Sequence, residues 1–257
     1  MIKSMFYDIL SSNYDQFVNW NSRLESEIPF LEKVLATNNV RTVLDSACGT
    51  GMHAIALAKL GFQSYGCDLS ESMIKIAEKN AEHESAKVKF FPAGFGEISD
   101  RADGFCYDSV ICLGNSLPHV RDTTELTTTL LDFGKLLNNH GTLILQNRNF
   151  DTVMDLKERW MEPQYSQLDG SETLFHRFYD FNPDDTITFN MLVTSRKVGE
   201  GWRQSVITTH LLPLPSDLME NVLLNTGYCD LQFFGDLAGS TFDKKTSPNC
   251  VIVARKD

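Results

Sequence analysis

The stretch "TVLDSACGTGMHAIALAKLGFQSYGCDLS", residues 42–70, constrains the fold more than any other part of the chain. It reads as a strand, a glycine turn, a helix, a second strand and an acid. Such an alternation closes as a βαβ unit of a parallel sheet. Gly49, Gly51 and Ala54 fit G-x-G-x-x-[GA], and Asp68 ends the second strand about twenty residues beyond the turn. In a nucleoside-binding fold the glycines let a ligand approach the backbone, and the acid accepts hydrogen bonds from the ribose hydroxyls. Both jobs are the same for any adenosine ligand, so the turn alone leaves a dinucleotide open.

Asp45 breaks the tie. It ends the first strand, four residues before Gly49, at the place a pyrophosphate would occupy. A carboxylate there repels phosphate and welcomes a cation. S-adenosylmethionine carries a sulfonium and an ammonium and no phosphate, so D-x-x-x-G-x-G followed by an acid after the second strand suits it. A bare strand-to-helix turn and a nicotinamide site are the other readings of the motif.

Strands are expected at 41–45, 63–68, 87–91, 107–113 and 141–146, with helices at 52–60, 71–80 and 122–138. Apolar residues at helical spacing (Phe17, Trp20, Leu24, Ile28, Leu31) predict a helical cap within residues 1–40. After Asp151, a short helical piece at 151–160 gives way to three period-two runs, "ETLFHRFYDFN", "DTITFNMLVTSRKV" and "WRQSVITTHLLPL". These predict an antiparallel meander over 162–212, serving as a substrate lid or an interface. A helix at 216–226 and two last strands complete the expected architecture. It is one α/β domain over 1–257, a doubly wound, seven-stranded, mostly parallel Rossmann-like sheet with the meander inserted.

The net charge of −11 has the wrong sign for nucleic acid or an anionic membrane surface. A small-molecule partner is the expectation instead. No apolar run is long enough for a signal peptide or a membrane span, which predicts a cytoplasmic protein. Six cysteines lack C-x-x-C spacing and several sit in apolar runs, as reduced thiols used for packing do, and no metal site is expected.

Asp45 to Gly51 together with Asp68 resembles the class I S-adenosylmethionine-dependent methyltransferases. Further segments resemble the glycine N-methyltransferase and glycine/sarcosine N-methyltransferase group: "YDQFVNWNSR" (14–23), "VICLGNSLPHV" (110–120) and "NRNFD" (147–151). The resemblance implies S-adenosylmethionine as methyl donor and S-adenosylhomocysteine as product. It also implies roles for individual residues. Arg23 would bind the methionine carboxylate, with Tyr14 against the cofactor; an ordinary helix-face arginine is the bland alternative. Ala47, Gly49 and Gly51 would allow close backbone approach beside Asp45. Asp68 would hold the ribose, with Leu69 and Met73 beside the adenosine, although Met73 also fits plain core. Gly94 and Phe95 stand where relatives place a polar side chain and an aromatic, so stacking on Phe95 is kept and the adenine amine falls to backbone. Leu113 and Gly114 close the cofactor side.

Asn115 would lie between cofactor and substrate, and His119 at the methionine end, these two being the candidate catalytic residues; a turn histidine satisfied by backbone is the alternative for His119. Arg148 would grip an amino-acid carboxylate, as a guanidinium fork suits, or else pair with Asp151 or a neighbour. Tyr179 is a candidate substrate contact. Met191 and "TTHLL" stand where the group's aromatic hydroxyls are expected, which points to a larger or less polar amine than glycine. The expected function is N-methyl transfer to a small amine or amino acid. An O-methyltransferase of a small carboxylate or hydroxyl, and a cofactor-binding regulatory protein, are the alternatives. The meander's alternation needs a covering partner, its own sheet or another chain, which leaves a homo-oligomer open.

Overall fold

The computed structural model describes residues 18–102, 104–168 and 170–257. Tyr14, expected at the cofactor, lies outside the described residues, as does the first part of the expected cap. Helix α1 (Trp20–Thr37) starts at Asn19, whose side chain accepts from the amide of Ser22, and it carries Pro29 within its length. Then follow β1 (Thr42–Ser46), α2 (Met52–Lys59), β2 (Gln63–Asp68), α3 (Glu71–His83) and β3 (Val88–Pro92). A short helix α4 (Ile98–Arg101), which the sequence pattern does not announce, precedes β4 (Tyr107–Cys112), α5 (Thr123–Leu136) and β5 (Leu137–Arg148). Ser70 caps α3 through the amide of Met73. Asp122 caps α5 through the amide of Glu125 at 2.8 Å, and the Glu125 carboxylate reaches back to the amide of Arg121 rather than to that of the cap itself.

The main sheet has seven strands in the order β10-β11-β5-β4-β1-β2-β3, where β10 is Tyr228–Phe234 and β11 is Asn249–Lys256. From β1 the chain winds outward through β2 and β3, then returns to β4 on the other side of β1. The carboxyl ends of β1 and β4 therefore diverge at the switch point, where such sheets bind ligands. Strand β11 lies between β5 and β10 and runs antiparallel to both.

Alternation along the strands sends neighbours to opposite faces. Val43, Ile111, Ile144 and Val251 pack under Phe30, Leu31 and Leu35 of α1. Leu44, Val110, Leu143 and Ile252 pack with Leu126, Leu130 and Phe133 of α5 on the other face. Burial on both faces explains why these strands read as apolar runs, each buried aliphatic side chain contributing roughly 1.5–3 kcal/mol. Cys67, Cys112 and Cys250 are among the packed residues.

After helix α6 (Phe150–Leu156) the chain forms a second sheet of four antiparallel strands: β6 (Gln164–Leu168), β7 (Ser171–Phe181), β8 (Ile187–Lys197) and β9 (Arg203–Leu211). Three runs were expected and four strands are present. The extra edge strand, "QYSQL", carries no β-branched residue and is mostly exposed, so its pairing with β7 supplies what its composition does not signal. Tyr179, Ile187 and Leu211 join the core of the main domain, and Phe175, Met191, Val193 and Ile207 form a smaller cluster beside it. The amide of Leu212 donates to the carbonyl of Pro118 at 2.8 Å, tying the end of β9 to the loop after β4. Helix α7 (Ser216–Asn225) then leads back to β10. Among the described residues no helix is long and apolar enough to cross a membrane.

Candidate active site

A cleft of about 250 Å³ opens along the carboxyl ends of β1 to β4. Each strand contributes its following loop: Ala47 and Gly49 after β1, Asp68 and Leu69 after β2, Ala93 to Phe95 after β3, and Gly114, Ser116 and His119 after β4. Both oxygens of Asp68 face backbone amides, Oδ2 that of Gly49 and Oδ1 that of Ser70, each at 2.9 Å. The acid thereby ties the glycine turn to the end of β2. Met73 lines the cleft and is also 1% exposed, so both readings of it hold. Phe95 lines the cleft and meets Phe133 edge-on at 6.0 Å. A Cβ at Gly94 would stand 3.0 Å from Leu69, which keeps that wall close.

Gly51, expected to allow close ligand approach, has a packing role. It lies outside the cleft lining, and at φ 80° it starts α2 with an added Cβ 2.7 Å from Phe90 and 2.9 Å from Ala77. Packing against β3 and α3 requires glycine there. Ala47 and Gly49, at φ 60° and 55°, are the turn residues that face the cleft.

A second, smaller recess shares Ala47, Gly49, Gly114 and Ser116 with the cleft and continues it toward Trp20, Arg23, Asp45, His53 and Leu113. Asp45 is 2% exposed, and its Oδ2 has no hydrogen-bond partner. Burial, then the neighbouring charge of Asp68, pushes its carboxyl up to about 8, against the opposing pull of Arg23 and a backbone hydrogen bond from Ala54. Arg23 donates through Nε to Glu27 at 3.0 Å, and the other oxygen of Glu27 meets His53 Nε2 at 2.6 Å. Burial raises Glu27, but the His53 hydrogen bond and the Arg23 charge outweigh it and hold Glu27 below the usual range. Burial also pushes His53 down, with the Glu27 hydrogen bond opposing. The Arg23 guanidinium lies 5.2 Å from the centre of the Trp20 ring, which meets His53 edge-on. Glu27 and His53 were missed in the sequence. The i,i+4 spacing of Arg23 and Glu27 is a signal that finds the first, and nothing local marks the second.

On the other side of the cleft, Asn115 Oδ1 accepts from the backbone amide of Arg148 at 2.9 Å, while its own amide donates to the Gln146 carbonyl. Asn115, expected to touch substrate, thus first locks the ends of β4 and β5 together at φ 62°. The Arg148 guanidinium stands 5.9 Å from the centre of the Tyr179 ring and pairs through Nη2 with Glu158 at 3.1 Å. The alternative of a structural ion pair is thus formed with a neighbour, Glu158, and not with Asp151, which accepts from the amide of Ser216. Tyr179 is 2% exposed, and burial raises its phenol while the charges of Arg148 and Arg177 oppose. His119 lines the cleft and stands 3.5 Å through Nδ1 from the hydroxyl of Thr209 on β9. Arg23, Asp45, Asp68, Gly114 and His119 line the cleft or the recess that continues it, whereas Asn115, Arg148 and Tyr179 lie outside both linings, Asn115 following Gly114 and holding the backbone amide of Arg148.

Residues 43–141 match the family described as "Methyltransferase domain". Over 256 residues the chain is 29% identical to the glycine/sarcosine N-methyltransferase of Aphanothece halophytica, covering 95% of this chain and 87% of that one. It is 26% identical over 246 residues to the glycine/sarcosine N-methyltransferase of Halorhodospira halochloris, covering 93% and 84%. Among solved structures, a S-adenosylmethionine-dependent methyltransferase from Clostridium acetobutylicum superposes with a TM-score of 0.77 at 15% identity, covering 98% of each chain, a likeness of fold. With the sheet order, the glycine turn and Asp68 in place, the chain is an S-adenosylmethionine-dependent methyltransferase with the class I fold. Within that class it resembles the glycine and glycine/sarcosine N-methyltransferases.

Proposed function

We propose that this enzyme methylates the nitrogen of a small amine or amino acid of the glycine and sarcosine kind. The observation that carries this reading is Arg148: a guanidinium over Tyr179, linked by its backbone to Asn115, one residue from the cleft wall at Gly114. A positively charged fork beside a methyl-donor cleft suits an acceptor with a carboxylate.

The residues of the cleft fit S-adenosylmethionine. Asp45, a buried acid with an unpartnered oxygen, suits the cationic amino-acid end, and Arg23 suits its carboxylate. Asp68 would hold the ribose, Ala47, Gly49, Leu113 and Gly114 the close backbone approach, and Leu69, Met73, Gly94 and Phe95 the adenine. Bound there, S-adenosylmethionine supplies a methyl group on a positively charged sulfur. The remaining work of the chain is alignment and the exclusion of water. Arg148 would anchor the acceptor, with Tyr179, Asn115 and His119 orienting its nitrogen toward the cleft. An ammonium has no lone pair, and a half-buried site that already holds the Arg148 cation disfavours a second positive charge, which favours the neutral amine.

The test is mass-spectrometric detection of methylated products from glycine, sarcosine, dimethylglycine and a panel of larger amines and amino acids. With the acceptor in hand, Arg148→Ala should raise its KM by roughly 10–100-fold, the worth of a charge-assisted hydrogen bond pair, and leave cofactor affinity within about twofold. Unchanged acceptor kinetics would remove Arg148 from the site.

A further inference from the structure

The side edge of an arginine presents two parallel donors, Nε–H and one Nη2–H, spaced for the two oxygens of one carboxylate. On Arg148 that edge is half used. Glu158 Oε2 takes Nη2 at 3.1 Å, while Nε is sealed from solvent with no partner. The backbone explains the mismatch. Lys157, at φ 49°, turns the chain out of α6, and the strap that follows is fastened to β7 by Met161 donating to the Arg177 carbonyl and Tyr179 donating to that of Arg159. Glu158 reaches the guanidinium from this strap, with its side chain 49% exposed against 30% for Arg148. A free carboxylate has no such tether and can take both donors.

We propose that Glu158 occupies, before the acceptor arrives, the place that the acceptor's carboxylate takes on Arg148. Binding is then an exchange of one carboxylate for another: Glu158 swings into solvent, and the incoming group gains the Nε bond that Glu158 does not make. Glu158 sets the threshold for carboxylate-bearing acceptors, while an acceptor without an anionic group neither displaces it nor profits from its removal. The inference rests on the reading of Arg148 as the carboxylate grip. An exposed pair of this kind is weak, so the threshold is modest.

The experiment is steady-state kinetics of Glu158→Gln with glycine, or with whichever carboxylate-bearing member of the acceptor panel turns over. The acceptor KM should fall about 2–5-fold while kcat and the cofactor KM stay within about twofold. Methylamine, which lacks the carboxylate, should gain nothing. In the Arg148→Ala background the Glu158→Gln change should have no effect on KM. A raised or unchanged acceptor KM in the single variant, with Arg148→Ala still raising it, overturns the exchange and leaves the carboxylate grip standing. An Arg148→Ala variant with normal acceptor KM, or no turnover of any carboxylate-bearing acceptor, overturns both.

Discussion

The end of β1 at the glycine turn and the end of β5, where Arg148 meets Tyr179 of the meander, each leave a buried polar atom without a partner, on groups of opposite kind. On the sheet edge a buried acid, Asp45, has an oxygen without a partner. At the end of β5 a guanidinium, Arg148, has a donor without one. The first suits a cation and the second an anion. The two sides also differ in how they are built. Asp45, Ala47 and Gly49 lie within five residues of each other, and the turn holds φ 60° at Ala47 and 55° at Gly49. The Arg148 side draws Arg148 from β5, Glu158 from the strap after α6, Tyr179 from β7 and Thr209 from β9, four separate segments. One side is shaped by main chain and the other by side chains, so substitutions should damage the first abruptly and retune the second.

The largest break in that comparison is expected at Asp45. Asp45→Asn removes the carboxylate that the cationic end of the bound cofactor would pair with. Removing one member of a buried charge pair costs roughly 3–5 kcal/mol, so kcat/KM for S-adenosylmethionine should fall by at least about 100-fold. Stability should move the other way. The folded pKa of Asp45 is raised to about 8, so the cofactor-free fold keeps a proton that the unfolded chain has lost above about pH 4. Its stabilising effect is complete below that range and is lost as pH rises through about 8, at up to about 1.4 kcal/mol per pH unit. His53, lowered by burial, acts with the opposite sign and is spent by about pH 6.5. Raising the pH from 6.5 to 8 should therefore lower the Tm of the wild type relative to Asp45→Asn. Parallel melting curves would mean that Asp45 is ionised without its ligand.

Next in size is Gly51→Ala. A Cβ there meets Phe90 at 2.7 Å and Ala77 at 2.9 Å, in a left-handed backbone that alanine resists. The two effects together should destabilise the fold by about 2–3 kcal/mol, read as a fall in denaturant midpoint. Cofactor affinity of the molecules that stay folded should hardly change. A selective loss of cofactor binding with normal stability would return Gly51 to the ligand-facing set.

The same division decides what the sequence makes legible. Asp45, Gly49 and Asp68 are readable because a strand end, a turn and the next strand end are joined by short chain, and local geometry fixes their meeting. At Gly51 the motif does not reveal that the same glycine is also needed for packing on Phe90. His53 is invisible because its partner, Glu27, comes from a helix 26 residues away. Glu158 is invisible for a different reason: only the turn at Lys157 aims it back at Arg148. Strand β6 escapes because "QYSQL" has no alternation of its own to bury, and its order comes from β7.

The smallest expected effect lies where the two sides touch. Thr209 on β9 is 6% exposed, and its hydroxyl stands 3.5 Å from His119 Nδ1, the far limit of a hydrogen bond. Thr209→Val keeps the shape and removes the hydroxyl. His119 has contacts beyond this one, so its ring should stay in place, with kcat falling less than about threefold and cofactor affinity unchanged. The pH profile of kcat should keep its form. A tenfold loss of kcat with a shifted profile would mean that the meander sets the state of His119 through Thr209. The meander would then belong to the methyl-transfer machinery itself, and the contrast between a rigid cofactor edge and a retunable acceptor side would fail at this residue.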